Sequence, residues 1–290
     1  MIINVIMYGK LIRAKEELKV EYLDIFPYVK GEVAPGTVSK HYLSFRKLEQ
    51  EGLYNEVFLQ NIKKLSKEFA AWKKTRGDGN CYYRSVMTSF LTKLFHFSRP
   101  SEHLEIFIRK IRSLLNDQSC GYNSDAVSEV LVVFERIFND SEGLEKKVLN
   151  FIEIQRLLQD KDFDYKIILL ARVITKQTLL EKIKDKEYCG FLTDDELELV
   201  KNNVEVMGRE AEGIELSLLP LGLGIEVTQI NFFDCIIKNI YPEPDLTGGK
   251  LKVSILSKGQ GHYDCLFSKQ ELEKECYSLK EKKYYFIKPS

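Results

Sequence analysis

The spacing of apolar residues changes once along this chain of 290 residues, near position 222. Before that point apolar residues recur every three or four positions, which is the spacing of amphipathic helices. After it, short apolar or alternating runs at 225–230, 251–256, 263–267 and 284–287 indicate strands. Because helices and strands are segregated along the chain rather than alternating, the pattern favours an α+β fold.

The helical part divides into several separate stripes. The first stripe consists of Phe58, Ile62, Leu65, Phe69 and Trp72. Its spacing predicts one helix of about five turns. Further helices are predicted over 104–115, 127–138, 144–158, 163–183 and 193–204. The segment Asn123-Ser124-Asp125 can cap the helix over 127–138, and Thr193 with Glu196 forms the pattern of a capping box.

Composition argues against several classes of function. Lysine plus arginine and aspartate plus glutamate number 43 each, so no overall basic charge points to nucleic acid. The six cysteines form no CxxC pair, and His41, His96 and His103 have no partner at ligand spacing, so we expect free thiols and no metal site. No apolar run could span a membrane and no secretory signal is recognisable. We therefore predict a cytoplasmic protein that binds neither nucleic acid nor membranes.

A turn of small polar residues leads directly into a helix-forming run at residues 76–84. The segment reads Arg-Gly-Asp-Gly-Asn-Cys-Tyr-Tyr-Arg, and the apolar residues behind Cys81 follow helical spacing. Cys81 should lie in the first turn of that helix, where free N–H groups and the positive end of the dipole favour a thiolate. Asp78, Gly79 and Asn80 would shape the turn so that backbone amides point inward, as an oxyanion site requires.

Gly261-His262-Tyr263-Asp264 supplies an imidazole and a carboxylate near the other end of the chain. A free thiol with a pKa near about 8.5 is mostly protonated at neutral pH, so an adjacent imidazole is needed to form the thiolate. On a strand, His262 and Asp264 leave the same face, and Asp264 could then hold the imidazole in the useful tautomer. The alternative is that Cys81 is a small buried residue and His262 a core histidine.

Taken together, the two motifs resemble those of the OTU-type cysteine proteases, and most of all the otubains. The resemblance covers about residues 38–267 and includes Arg84 behind the cysteine and the stretch from Trp72 to Arg76 before the turn. It implies an α+β, papain-like cysteine protease fold of OTU type. In that fold the N-terminal part is helical, a helical arm lies at about residues 100–160, and a small, mainly antiparallel sheet lies toward the C-terminus.

The resemblance also implies a function and a set of site residues. The activity would be that of a deubiquitinase, a thiol isopeptidase that cleaves ubiquitin from lysine side chains or from polyubiquitin without a cofactor. The implied site consists of the nucleophile Cys81, the acid–base His262, the orienting Asp264, Asp78 as a member of the catalytic set that shapes the turn, and the oxyanion residues Gly79 and Asn80.

The same resemblance suggests partners and a domain division. We expect two ubiquitin sites, ubiquitin-conjugating enzymes as further partners, and a monomer. Residues 1–36 are predicted to be an extension of unknown role, with a buried strand at 1–7, and residues 37–290 the catalytic domain. Bacterial effectors use this fold as well, and the cytoplasm would then be that of a host.

Two alternatives remain open at this point. One is a protein that binds ubiquitin or a ubiquitin-conjugating enzyme and acts partly without catalysis. The other is a cysteine protease for a ubiquitin-like modifier.

Overall fold

The computed structural model describes residues 36–40, 42–51, 55–96, 101–117, 121–140, 143–183, 193–232, 234–242, 251–259 and 261–271. The strands predicted at 1–7 and 284–287 lie outside these residues, as does all but the last residue of the predicted extension. None of the helices in the described residues is long and apolar enough to cross a membrane.

The described chain begins with helices and ends in strands, as the change of period predicts. The helices are α1 Phe45–Glu51, α2 Glu56–Glu68, α3 Cys81–Leu94, α4 Ser101–Asn116, α5 Ser124–Asn139, α6 Gly143–Leu157, α7 Lys161–Lys182, α8 Asp194–Asn203 and α9 Glu215–Leu223. The strands are β1 Phe69–Lys73, β2 Ile225–Asn231, β3 Ile237–Tyr241, β4 Leu251–Ser257 and β5 Tyr263–Ser268.

The strands form one five-stranded sheet in the order β1-β5-β4-β2-β3. Only the β2–β4 pair is parallel, so among the described residues the predicted small, mainly antiparallel sheet is confirmed. Strand β1 comes from the helical half of the chain and pairs with β5, with Lys73 opposite Cys265. This pairing brings the turn after β1 next to the residues that precede and begin β5.

The prediction of a single helix that continues through Trp72 is wrong for its last residues. Helix α2 ends at Glu68, and the chain continues extended from Phe69 as β1. Trp72 exchanges backbone hydrogen bonds with Leu43 on one side of β1 and faces Leu266 of β5 on the other. These partners are distant in sequence, so the tertiary pairing overrides a spacing that fits a helix equally well.

Besides β1, the sequence analysis missed three elements, and one of its predicted caps does not form a hydrogen bond. The pattern missed α1 and β3, which are short, and α9, in which Pro220 reads as a helix breaker. The capping box of Thr193 and Glu196 is confirmed at α8. Asn123 occupies the N-cap position of α5, but its side chain makes no capping hydrogen bond there.

The sheet is covered on both faces, and α3 lies at the centre of the larger core. One face packs against α3 and the helices around it, and the other packs against α1 and α2. Alternate side chains of β5 pack into the two cores. Cys265 and Phe267 pack into the larger core around α3, and Leu266 packs into the core with α1 and α2. Every residue of α3 except Lys93 is buried, so the start of this helix has a fixed position between sheet and helices.

Candidate active site

Cys81 lies at the N-terminus of the central helix. It is the first residue of α3 and Asn80 is the N-cap, which confirms the predicted position in the first turn. Its side chain is buried, with 3% exposure, and the Sγ–H group donates a hydrogen bond of 3.1 Å to the carbonyl of Gly261. The thiol therefore already touches the residue that immediately precedes His262.

Asp78 holds the turn before the nucleophile. Both of its oxygens accept hydrogen bonds from Arg84, at 2.8 and 2.9 Å, and Oδ1 also accepts from the backbone N–H of Asn80 at 3.1 Å. Arg84 is buried and its Nε donates to Asp164 of α7 at 2.9 Å. Burial alone would raise the pKa of Asp78, but its hydrogen bond and ion pair with Arg84 outweigh burial and lower it. Asp78 thus shapes the turn, as the sequence suggested.

Gly79 fits a position that no side chain could occupy without displacing the backbone. Its φ is +74°, and a Cβ built there would lie 1.8 Å from the carbonyl oxygen of Gly208. The segment that contains Gly208 therefore lies directly against the turn. The glycine is required both for the left-handed conformation and for this close approach.

His262 connects the thiol to a carboxylate. Its Nε2 lies 3.1 Å from Asp264 Oδ1, and the thiol of Cys81 is near enough to act on the imidazole. A Cβ at Gly77 would lie 3.4 Å from Nδ1, so the Nδ1 edge of the ring faces the nucleophile turn. The hydrogen bond with Asp264, followed by the interaction with Cys81, raises the pKa of His262 to about 9 despite partial burial.

Asp264 is completely buried and has several partners. The backbone N–H of Thr75 donates to Oδ1 at 2.7 Å, and the ammonium of Lys258 lies 2.8 Å from Oδ2. Burial alone would raise the pKa of Asp264, but the hydrogen bond with His262 and the charge of Lys258 outweigh it and lower that pKa. The carboxylate therefore stays ionised beside the imidazole.

Lys258 is a residue of this site that the sequence analysis missed. Its Nζ also lies 2.7 Å from Glu51 Oε2 and 4.1 Å from the centre of the Trp72 ring. The backbone N–H of Lys258 donates to the carbonyl of His262 at 3.0 Å, which closes the turn before β5. A single lysine four residues before a histidine carries no recognisable signal, because its partners come from α1, β1 and β5.

The second buried cysteine provides a contrast. Cys265 follows Asp264 on β5, and its thiol is 3.6 Å from the carbonyl of Ser85. Complete burial raises its pKa to about 12, so this thiol stays protonated. Within the described residues, no group of three or more histidine, cysteine, aspartate or glutamate side chains could hold a metal ion.

The geometry brings together the residues selected from the sequence. Cys81, His262 and Asp264 are connected in that order, and Asp78, Gly79 and Asn80 form the turn beside the thiol. A thiol, an imidazole and a buried carboxylate in this order are the parts of a nucleophilic cysteine hydrolase. As catalytic residues they remain predictions.

Comparison with known proteins identifies the family. Residues 17–268 match the family described as Peptidase C65 Otubain, so the chain belongs to the otubain family of peptidases. The match begins inside the segment 1–36 that the sequence analysis set apart as an extension.

Proteins of known name match this chain at low sequence identity but over most of its length. The chain is 24% identical to the ovarian tumor domain-containing deubiquitinating enzyme 1 of Arabidopsis thaliana, over 73% of this chain and 74% of that protein. It is 25% identical to the ubiquitin thioesterase OTUB1 of Homo sapiens, over 76% of this chain and 81% of that protein. It also resembles the solved complex of ceOTUB1 with ubiquitin aldehyde and UBC13~Ub, with a TM-score of 0.64, 21% identity and coverage of 80% and 94% of the two chains. The predicted OTU-type fold is thereby confirmed.

Proposed function

We propose that this otubain-family chain is a cysteine-type deubiquitinase that hydrolyses the bond between the C-terminal glycine of ubiquitin and a lysine amine. The observation that carries the proposal is the contact of Cys81 with His262, with Asp264 behind the imidazole. Relatives named as ubiquitin thioesterase and deubiquitinating enzyme support the substrate class.

The first half of the reaction forms an acyl-enzyme. Because Asp264 occupies Nε2 of His262, Nδ1 is the nitrogen that takes the proton of the Cys81 thiol. The sulfur attacks the carbonyl carbon of the terminal glycine, and amides of the turn stabilise the oxyanion. When the tetrahedral intermediate collapses, the C–N bond breaks, and His262 returns its proton to the departing lysine amine.

The second half releases ubiquitin. His262 takes a proton from water, the hydroxide attacks the thioester carbonyl, and the C–S bond breaks. The sulfur regains its proton from His262 and ubiquitin leaves with a free carboxylate. Asp264 keeps the same nitrogen of His262 occupied throughout both halves, so the imidazole does not need to turn.

The proposed partners are ubiquitin and ubiquitin-conjugating enzymes. The solved complexes that this chain resembles contain ubiquitin aldehyde with UBC13~Ub or UBCH5B~Ub. We extend the proposal to two ubiquitin sites, one of them on the helical arm at about residues 100–160, and to a monomeric, cytoplasmic protein.

The decisive experiment uses ubiquitin that carries an electrophile at its C-terminus. We expect a covalent adduct with the full chain and none with Cys81→Ala, because among the thiols in the described ranges only the one at the start of α3 lies beside the imidazole. Cys235→Ser is the matched control, since Cys235 is an exposed thiol outside the site, and this variant should form the adduct normally.

Two results would redirect the proposal. Failure of the native chain to react, with normal binding of ubiquitin, would favour the non-catalytic binding protein. Faster reaction with an electrophile built on a ubiquitin-like modifier would favour the alternative substrate.

A further inference from the structure

Arg172 is a buried cation of α7 that the mechanism above does not use. It is 1% exposed. Its Nη2 donates to Asn80 Oδ1 at 2.8 Å and to the carbonyl of Arg209 at 2.7 Å, and its Nη1 donates to the carbonyl of Val204 at 2.9 Å. The guanidinium carbon lies 4.2 Å from the centre of the Tyr83 ring. Because these contacts lie on several sides of the guanidinium group, they fix its orientation.

The side chain of Asn80 behaves unusually for its position. An asparagine at an N-cap normally accepts a hydrogen bond from an amide of the first helical turn, which stabilises the helix. Asn80 is the N-cap of α3, yet its side chain makes no such bond. Its Oδ1 instead accepts from Arg172 and, at 2.9 Å, from the backbone N–H of Gly208. The oxygen that could cap the nucleophile helix is held away from it.

This arrangement has a consequence for Cys81. Amides at a helix N-terminus that no side chain caps retain their partial positive charge and favour a neighbouring anion. Asp78 accepts from the N–H of Asn80, and Cys81 is the first residue of α3, so its sulfur lies beside the amides that follow. An Asn80 side chain turned onto the helix would satisfy the same amides and weaken their field.

We propose that Arg172 is a positioning residue that holds the Asn80 side chain off the N-terminus of α3, so that the first-turn amides stay available beside Cys81. The inference rests on the proposed role of Cys81 as the nucleophile. It goes beyond that proposal in assigning a task to a residue of a different helix, α7.

Helix α7 holds the turn at a second point. Asp164 pairs with Arg84, which in turn binds Asp78, while Arg172 reaches Asn80 directly. The two side chains are separated by about 12 Å along the axis of α7, since each residue adds 1.5 Å. One rigid helix therefore sets both the first and the last residue of the Asp78–Asn80 turn.

Several charged and titratable groups surround these atoms, and they include Glu210, whose carboxylate lies against Gly261 and acts on Tyr263. Tyr83, Glu215 and Asp78 act electrostatically on Arg172, and the hydroxyl of Tyr83 donates to Glu215 Oε2 at 2.8 Å. Cys81 acts on His262 and Tyr263. Arg172→Met removes a positive charge from this set as well as the hold on Asn80, so the effect of the cap must be separated from the direct effect of the lost charge.

The test measures how fast iodoacetamide alkylates Cys81 as a function of pH, followed by mass spectrometry of the Cys81 peptide. In Arg172→Met we expect the midpoint of the rate profile to move up by about half a pH unit, because the cap removes a helix-end effect of that order. Hydrolysis of a C-terminal fluorogenic ubiquitin at pH 7 should fall about threefold in parallel. A variant that melts like the native chain but keeps the native midpoint would overturn the proposal.

A double-mutant cycle makes the test specific. Alanine cannot cap, so in an Asn80→Ala background Arg172→Met should leave the midpoint unchanged. An equal shift in both backgrounds would show that Arg172 acts by another route and would overturn the proposal. Should Arg172→Met fail to fold, Arg172→Lys replaces it. A single ammonium cannot reproduce the guanidinium fork, so we expect a smaller upward shift, and the native midpoint would again overturn the proposal.

Lys176→Met is the matched control. Lys176 lies one turn further along α7 and pairs with Glu205, so it contacts the same neighbouring segment but not Asn80. Its midpoint should equal that of the native chain, and a shift as large as that of Arg172→Met would contradict the assignment to Asn80. Because alkylation needs no ubiquitin, these outcomes are independent of whether ubiquitin is the substrate.

Discussion

The two halves of the candidate site are stabilised in different ways. The nucleophile side is a turn whose carboxylate, Asp78, is partly exposed and bound to Arg84, within the same helix-forming segment. The histidine side depends on Asp264, which is fully buried and is bound by Thr75 and Lys258. An aspartate thus fixes the backbone of the turn in one half, and an aspartate raises the pKa of the imidazole in the other.

The two halves should therefore lose activity for different reasons. A partly exposed carboxylate in a turn is screened by solvent, so the nucleophile side should fail through backbone geometry. A buried carboxylate depends on each of its partners, so the histidine side should fail through electrostatics. The following changes test that distinction.

The largest effect is expected for Asp264→Asn. The hydrogen bond with Asp264 is the main reason that the pKa of His262 is about 9, so its loss should lower that pKa toward the ordinary value of about 6.5. We expect hydrolysis of fluorogenic ubiquitin at pH 7.5 to fall by 10²-fold or more, on the order of the contribution of a positioned acid–base group. The basic limb of the pH–rate profile should move to lower pH.

The sign of the stability effect follows from the same shift. A folded pKa above the unfolded value means that protonated His262 stabilises the fold fully below about pH 6.5 and that this contribution is lost as the pH rises through about 9. Asp264→Asn should reduce this dependence in denaturant melts, while the exposed Asp234→Asn should retain it in full. A basic limb that does not move would refute the assignment of Asp264.

Gly79→Ala tests the nucleophile side and should have the next largest effect. The new Cβ meets the carbonyl of Gly208, so the turn must shift and its amides lose their alignment with the oxyanion. We expect kcat to fall by about 10²-fold, the cost of losing one oxyanion donor, with a smaller change in KM. Gly213→Ala is the control, because Gly213 also has a positive φ but no atom within 4 Å of its added Cβ. Equal losses in the two variants would show that conformation alone, and not the contact with Gly208, matters.

Lys258→Met should have the smallest effect on activity and a clear effect on stability. It removes the ammonium beside Asp264 and leaves the imidazole of His262 as the remaining cation, which should lower the free energy of unfolding at pH 7.5 by about 3 kcal/mol, the low end for a broken buried pair. A surface pair is worth far less, so Lys238→Met, which breaks the exposed pair with Glu68, should change the free energy of unfolding by under about 1 kcal/mol.

The pH dependence of Lys258→Met provides a second check. The pKa of Asp264 is lowered in the folded protein, so its contribution to stability is present above the unfolded pKa of about 3.9 and is lost as the pH falls through the folded pKa. The difference between Lys258→Met and the native chain should therefore narrow in acid. Urea melts at pH 7.5 and at about pH 2.5, below the unfolded pKa, would measure this, and a constant difference would mean that the ion pair with Asp264 is not responsible.

The parts that could be predicted from the sequence are those encoded by neighbouring residues. Helix α3 and the position of Cys81 follow from one turn and one apolar stripe, and the capping box at α8 follows from Thr193 and Glu196. Strand β1 could not be predicted, because the spacing of Phe69 and Trp72 fits a helix as well as it fits a strand pairing. Only the presence of β5 and Leu43 decides between them.

The charged residues that hold the site in place could not be predicted from the sequence either. Lys258, Arg172 and Asp164 resemble any solvated residue of a chain in which 30% of residues are charged. Their importance comes from burial, since a charge removed from water must be paired, and the partner can come from any part of the chain.

The sequence by itself determined the reacting groups and the local form of the nucleophile: a cysteine at the start of a helix, behind a turn that requires glycine. Three features depend on tertiary packing: the nitrogen of His262 that faces Cys81, the lysine that pairs with Asp264, and the direction of the Asn80 side chain. The physical reason is that hydrogen-bond periodicity and steric limits act between neighbours in the chain. The partners of a buried charge are chosen only when distant segments pack together and exclude water.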